Sequence, residues 1–203
     1  MNLWKMTTDD ATNIGPVLLD EELSRAVRRC GWKPNLVRET LRGSCVASIE
    51  MGIAKLRSSH LELAAIKLPD FLIWIWIPIV SLEGARVMIG LGCDSKEFWP
   101  CRFQTNPDEQ YFFHLPLRSY DIVDYEKSEF LQSLAFPGKD AIPMFAKNIC
   151  FNAPTDKLPP CFRVSIPKIN QTLIDLFVND EFRSVWIERH LSGAQFTLLT
   201  EPA

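Results

Sequence analysis

Two aspartates and a lysine are the residues of this chain best suited to metal-assisted hydrolysis. Asp70 precedes a long apolar stretch, and Asp94 and Lys96 follow it. Two carboxylates can hold Mg²⁺ between them, and a nearby lysine can position or activate the attacking water. Glu50 or Glu62, both upstream, could add a further ligand. If these side chains meet in the fold, they provide the minimum set of groups for such a reaction.

This set resembles the motif of the PD-(D/E)xK nucleases. Pro69-Asp70 corresponds to its first part, and Asp94-Ser95-Lys96 corresponds to its second part. The resemblance implies a Mg²⁺-dependent nuclease with Asp70, Asp94 and Lys96 as catalytic residues. Ser95 departs from the pattern, because the middle position is usually apolar. In the alternative interpretation these residues are the polar ends of strands, and neither a catalytic residue nor a cofactor is expected.

A second candidate site is a cluster of cations near the beginning of the chain. From Leu23 to Arg57 there are eight basic and two acidic residues, a charge of +6, and the total of −3 leaves −9 for the remainder. Clustered cations bind nucleic-acid phosphates or acidic protein surfaces. The residues that we expect to contact such a partner are Arg25, Arg28, Arg29, Lys33, Asn35, Arg38 and Arg42.

The basic segment is similar to a helix-turn-helix. A first helix is expected to end at Gly31, and a second is expected to begin near Pro34. The resemblance implies that Asn35, Arg38 and Arg42 face bases or phosphates, while the arginines of the first helix hold the nucleic-acid backbone. The alternative is an ordinary helical hairpin whose basic face is solvated, or which contacts the acidic remainder of the chain.

The thiols and imidazoles have no recognisable catalytic or metal-binding spacing. No pair of cysteines has the C-x₂₋₄-C spacing of a zinc site. His60, His114 or His190 could approach Cys93, but none stands in a setting typical of covalent catalysis. We therefore predict buried, reduced thiols and no metal site. The six cysteines are Cys30, Cys45, Cys93, Cys101, Cys150 and Cys161.

The elements that must position these residues are dominated by two apolar runs. Residues 71–82 read FLIWIWIPIVSL, and residues 85–93 read ARVMIGLGC. They predict two antiparallel strands joined by a two-residue turn at Glu83-Gly84. Because both faces are apolar, the hairpin should be covered on both sides or partly exposed as a homodimer interface. Pro78 cannot donate to a ladder, so it predicts an edge strand or a bulge.

Helices and shorter strands are predicted around this hairpin. Residues 1–19 favour turns, and three short helices follow over 20–30, 34–43 and 44–56. Two later helices are expected over 125–135 and 170–191, with Asn179-Asp180 as the place where the second could be interrupted. Short strands are expected over 110–117, 148–151, 162–166 and 195–200. The predicted fold class is α+β, with an N-terminal segment of about three short helices packed with an antiparallel sheet built around a long apolar hairpin.

Composition limits the classes to which the chain can belong. Its 203 residues, 47% of them hydrophobic, suffice for a core, and the net charge of −3 favours neither a protein that coats nucleic acid generally nor an acidic, solvating one. We divide it into a helical part, 1–66, and a sheet part, 67–203, expected to form one unit. No signal peptide is recognised, and the longest apolar run is too short to span a bilayer.

These observations predict a cytoplasmic protein without membrane contact. We expect a non-enzymatic binding or regulatory protein that acts through macromolecular contacts. Its basic segment would engage nucleic acid or an acidic protein partner, and one such role is inhibition of a nucleic-acid-handling complex. The alternative is the nuclease.

Overall fold

The computed structural model describes residues 2–9, 15–17, 21–31, 33–43, 48–52, 68–103, 106–132, 143–152, 157–173 and 175–199. Within these ranges, strands outnumber helices. Two short 3₁₀ turns lie at Ser95–Glu97 and Pro167–Ile169. The α-helices are α1 (Glu21–Cys30), α2 (Pro34–Gly43), α3 (Leu82–Gly90) and α4 (Asp180–Glu188). The strands are β1 (Leu3–Thr8), β2 (Gly15–Val17), β3 (Ser48–Gly52), β4 (Phe71–Trp74), β5 (Ile77–Ser81), β6 (Phe98–Phe103), β7 (Asn106–His114), β8 (Ser119–Tyr120), β9 (Glu129–Gln132), β10 (Pro143–Asn148), β11 (Cys161–Ile166), β12 (Gln171–Thr172), β13 (Leu176–Asn179) and β14 (Ala194–Leu198).

The strands form two large sheets and one separate pair. The first sheet has the order β2-β3-β6-β7-β5-β4, and the second has the order β12-β11-β13-β1-β14 with β8 beside β11. Strands β9 and β10 pair with each other. Neighbouring strands are antiparallel except β3 with β6 and β8 with β11. The α+β fold class is thus confirmed.

Three apolar clusters hold these elements together in layers. The first packs Leu23 and Val27 of α1, and Val37 and Leu41 of α2, onto one face of the first sheet. The second joins the other face of that sheet to the second sheet through α3 and α4. The third covers the remaining face of the second sheet with side chains such as Ile122 and Val123, which precede β9, and Phe151, which follows β10. Helices α1 and α2 therefore form an outer layer.

The central hairpin is shorter than predicted, because its second apolar run is a helix. Strands β4 and β5 pair around Ile75-Trp76, and the residues that follow form α3. Ser81 caps this helix, since its Oγ accepts a hydrogen bond of 3.0 Å from the Gly84 amide. The buried positions of α3 recur at helical spacing. This spacing was not apparent in the sequence, because the segment is rich in apolar residues. The predicted turn at Glu83-Gly84 and the strand over 85–93 are wrong.

The first two predicted helices are confirmed by α1 and α2, but the third is contradicted where the structure describes it. Residues Ser48–Gly52 form β3, which pairs with β2 and runs parallel to β6. Pairing with a neighbouring strand here outweighs the helical spacing of the apolar residues. Residues 44–47 and 53–56 of that prediction lie outside the described residues.

The two later helices are also wrong in part. Asp124 Oδ1 accepts hydrogen bonds from the amides of Glu126 and Lys127, which favours a turn, and β9 follows where a helix was predicted. Among the described residues of 170–191, only those of α4 form an α-helix. Asn179 Oδ1 caps it by accepting a bond of 2.8 Å from the Phe182 amide, so the predicted interruption is where the helix begins.

Strand predictions fared better than helix predictions. Those over 110–117, 162–166 and 195–200 are confirmed by β7, β11 and β14, whereas β10 ends where the strand over 148–151 was expected to begin. Strand β1 lies in the segment that favoured turns, and it pairs with both β13 and β14. Pro78 lies in the inner strand β5, just before pairing with β7 begins at Ile79. The predicted edge position is therefore wrong.

Candidate functional site

The outer face of α1 carries three exposed arginines. Arg25, Arg28 and Arg29 are three and four positions apart, which places them on one side of a helix. Leu23 and Val27 are buried against the first sheet and point away from this side. The amphipathic pattern that anchors α1 in the core is thus also what collects the arginines on its outer surface.

The positive charge of this face continues into the turn that leads to α2. Arg28, Arg29 and Lys33 are exposed, and within the described ranges none of them forms an ion pair. Gly31 makes the turn with a φ of 54°, a conformation that favours glycine. Arg28 and Arg29 lie in the last turn of α1, where cations also stabilise the helix dipole. We call Arg25, Arg28, Arg29 and Lys33 the α1 basic face.

The basic residues of α2 are held by contacts within the chain. The Arg38 side chain is half-buried, and its Nη2 donates a hydrogen bond to the Lys96 carbonyl. The Arg42 guanidinium lies 5.5 Å from the centre of the Trp99 ring, a cation–π distance. Asn35 is exposed. The structure therefore separates the predicted set, because Arg38 and Arg42 contact residues 96–99 while the α1 basic face points outward.

Asp70 is a structural hub. Its Oδ1 accepts a hydrogen bond of 2.7 Å from Ser81 Oγ, and its Oδ2 accepts bonds of 2.9 Å from the amide and the hydroxyl of Ser192. Both carboxylate oxygens are thereby engaged with protein donors. Because Ser81 is the N-cap of α3, Asp70 lies at the N-terminal end of that helix.

Asp94 lies beyond the other end of α3. Its Oδ1 accepts a hydrogen bond of 2.9 Å from the Lys96 amide, which caps the 3₁₀ turn. A helix the length of α3 rises about 13 Å, so Asp70 and Asp94 are too far apart to share one magnesium ion. The Glu50 side chain and Glu62 lie outside what the structure describes. The nuclease set of Asp70, Asp94 and Lys96 is not brought together.

A different group of side chains does converge, at the end of α3. Cys93 follows the helix, Glu97 ends the 3₁₀ turn, and His114 ends β7. One thiol, one carboxylate and one imidazole ligand atom lie within 4.8 Å of one another. Among the described residues this is the group that could hold a metal ion. From the sequence, His114 was one of three histidines that could approach Cys93, but Glu97 was not considered and no metal site was predicted. We call it the Cys-Glu-His cluster.

Hydrogen bonds and burial fix the members of this cluster. Glu97 Oε1 accepts a bond of 2.9 Å from the Leu117 amide, and Glu97 Oε2 lies 3.3 Å from His114 Nε2. The Phe98 ring stacks on His114 at 4.9 Å. Burial lowers the pKa of His114, and the nearby Arg163 lowers it further, while Glu97 acts in the opposite direction. His114 is therefore neutral at neutral pH.

The cluster adjoins a cavity of about 280 Å³. Cys93 and Glu97 line it, together with Arg118, Tyr120 and Cys161. The Cys161 thiol lies beside that of Cys93, and burial, followed by this contact, raises its pKa well above the ordinary value. Both thiols are free, as are the other described cysteines. The prediction of buried thiols is confirmed for Cys93, Cys101, Cys150 and Cys161, whereas Cys30 is half-buried.

Comparison with protein-family models and with curated proteins finds no match for this chain. In the described part, no helix is both long and apolar enough to cross a membrane. The two features of the molecule that bear on function are the α1 basic face and the Cys-Glu-His cluster.

Proposed function

We propose that this chain is a non-enzymatic binding or regulatory protein that docks on an acidic protein surface through α1 and α2. The α1 basic face is the observation that carries this proposal. It presents exposed cations on one side of a helix whose opposite side is anchored in the core. Such a surface attracts an acidic partner over several ångströms and orients it before contact.

The character of α2 favours a protein partner over nucleic acid. In a helix-turn-helix, α2 would present its polar side chains to the major groove. Here Arg38 and Arg42 contact residues of the same chain, and Leu36, 44% exposed, stands on the outer surface near Glu39. The exposed leucine suits a protein interface, which buries apolar side chains, whereas phosphates offer it no apolar contact. Nucleic acid remains the second candidate, because the same cations would bind phosphates.

The first test measures binding of an acidic polypeptide. Fluorescein-labelled poly-L-glutamate would be titrated with the full chain, and anisotropy recorded at about 50 and 200 mM salt. We expect binding that weakens with salt, and at least about a tenfold loss in the double variant Arg28→Glu/Arg29→Glu. The matched control is Arg86→Glu/Arg189→Glu, which makes the same charge change at exposed positions of α3 and the end of α4.

Two results would overturn the proposal. One is equal weakening in the control and in the α1 variant, since binding would then depend on net charge alone. The other is tighter binding of a labelled DNA duplex that is lost in Arg38→Ala/Arg42→Ala, which would favour the nucleic-acid candidate. Circular dichroism of each variant establishes that the helices are intact. Self-association of the chain stays a separate prediction, testable by sedimentation in the same buffers.

A further inference from the structure

We propose that Cys93, Glu97 and His114 bind one transition-metal ion, with Zn²⁺ as the best fit. Thiolate, carboxylate and imidazole are the three ligand types that zinc takes from proteins. A thiolate ligand disfavours Mg²⁺ and Ca²⁺, which prefer oxygen. The inference is independent of the proposed docking function, since none of the three residues belongs to the α1 basic face.

The spacing of the ligand atoms supports a shared ion. Glu97 Oε2 and His114 Nε2 are 3.3 Å apart, longer than the roughly 2.7–2.9 Å of a charge-assisted hydrogen bond. Two atoms bound at zinc distances with tetrahedral angles are about 3.4 Å apart. Because all three ligand atoms lie within 4.8 Å of one another, shifts of about 1 Å place them on one ion. The site is close to formed without metal.

Neighbouring groups hold Glu97 and His114 in orientations that leave their ligand atoms available to a metal ion. The Leu117 amide binds Glu97 Oε1 and leaves Oε2 facing His114. Stacking with Phe98 fixes the plane of the imidazole. His114 is fully buried, yet its Nδ1 has no hydrogen-bond partner within the described structure. An ion bound at Nε2 would leave the proton of the neutral imidazole on Nδ1.

Three protein ligands leave a tetrahedral ion with one further position. Cys93 and Glu97 line the cavity of about 280 Å³, so an ion between them adjoins it. We assign the fourth position to water or a small ligand from this cavity. On binding, the Cys93 thiol releases its proton to solvent and the sulfur bonds to the ion, while Glu97 and His114 bind as carboxylate and neutral imidazole.

The test uses the full chain and the metal alone. Metal-free protein would be dialysed against Zn²⁺ and its metal content measured by mass spectrometry, and Co²⁺ would replace Zn²⁺ for absorption spectra. We expect one ion per chain, tetrahedral cobalt bands and a sulfur-to-cobalt charge-transfer band. Cys93→Ser should abolish the charge-transfer band, and His114→Gln or Glu97→Gln should lower affinity at least about tenfold. Cys30→Ser, which changes a half-buried thiol on α1, is the matched control and should change neither.

A second measurement needs no variant and guards against misfolding. The melting temperature of the unaltered protein should rise with Zn²⁺ and stay constant with Mg²⁺, because an ion that binds only the folded state stabilises it. Failure of the wild-type chain to retain Zn²⁺ would overturn the proposal. So would a cobalt charge-transfer band that persists in Cys93→Ser while Cys30→Ser removes it.

Discussion

The Arg163 guanidinium donates a hydrogen bond of 2.8 Å to the carbonyl of Trp76. Arg163 belongs to β11 of the second sheet, and Trp76 lies in the loop between β4 and β5 of the first. A second bond, of 3.3 Å, joins the same guanidinium to the Leu173 carbonyl. Only 1% of Arg163 is exposed, and burial lowers its pKa to about 9. A buried cation therefore connects the two sheets.

Replacing Arg163 should loosen this connection. Arg163→Met keeps much of the side-chain volume but leaves the carbonyls of Trp76 and Leu173 without this donor. A hydrogen bond from a charged donor is worth about 1.5–3 kcal/mol and both bonds are only partly buried, so we expect the free energy of unfolding to fall by about 2–4 kcal/mol. Arg163→Lys should recover only part of the loss, because one ammonium cannot match the fork of the guanidinium. Urea denaturation measures both, and full recovery by lysine would contradict the bidentate role.

Asp70 should matter for stability and not for catalysis. Asp70→Ala removes acceptors for Ser81 Oγ and for two donors of Ser192, so we expect a loss of about 2–3 kcal/mol in the free energy of unfolding. Asp94→Ala is the control, because it removes a single exposed capping bond to the Lys96 amide and should cost about 1 kcal/mol. Thermal denaturation distinguishes the two. Equal, small losses of stability in both variants would contradict the structural role of Asp70.

Local patterns were enough to predict the elements that carry their own start and stop signals. Helix α1 has apolar residues at helical spacing and a stop at Gly31, and α2 begins at Pro34. Helix α3 was not predicted, because it directly follows the apolar residues of β4 and β5 and its own apolar residues predict another strand. Ser81 was nevertheless a capping signal in the sequence. Strand β3 could not be deduced locally, because its partners β2 and β6 both lie far from it along the chain. Pairing between distant segments is one of the features that local patterns could not predict.

The same reason explains which parts of the sites were predictable. The α1 basic face follows from charge and helical spacing alone. The Cys-Glu-His cluster depends on the register of β6 and β7, which pairs Phe98 with His114 and so brings Glu97 to the imidazole. Of the three residues, only Cys93 and Glu97 lie close together in the sequence. The nuclease motif failed because it assumed a hairpin where α3 keeps Asp70 and Asp94 apart.

Among the five glycines whose surroundings the structure describes, Gly193 should tolerate substitution least. Its φ is 84°, and an added Cβ would lie 2.4 Å from the Phe71 carbonyl oxygen and 2.6 Å from Pro69 Cβ. Gly193→Ala therefore combines backbone strain with a clash against β4, and we expect a loss above about 3 kcal/mol or failure to fold. Gly31→Ala is the control, since φ there is also positive but nothing lies within 4 Å of the added Cβ. It should cost about 1 kcal/mol, and equal losses in denaturation experiments would contradict the clash.

Asp180 should give the protein a measurable sensitivity to acid. Its carboxylate accepts bonds of 2.8 Å from the Asn2 amide and from Trp4 Nε1, and these bonds, the Asn2 amide first, lower its pKa. Because the folded-state pKa lies below the unfolded one, the stabilisation is complete above the unfolded pKa. It is lost as pH falls through the folded pKa.

The variant Asp180→Asn isolates this contribution. An amide oxygen is a weaker acceptor than a carboxylate, and the variant also loses a negative charge at the beginning of α4. We expect it to be less stable than wild type by at most about 1 kcal/mol at neutral pH, because solvent screens these exposed contacts. The difference should shrink as pH falls below about 4, the ordinary pKa of aspartate, because wild-type Asp180 then becomes protonated. Urea denaturation of both proteins across this range measures the gap, and a gap independent of pH would show that Asp180 acts without its charge.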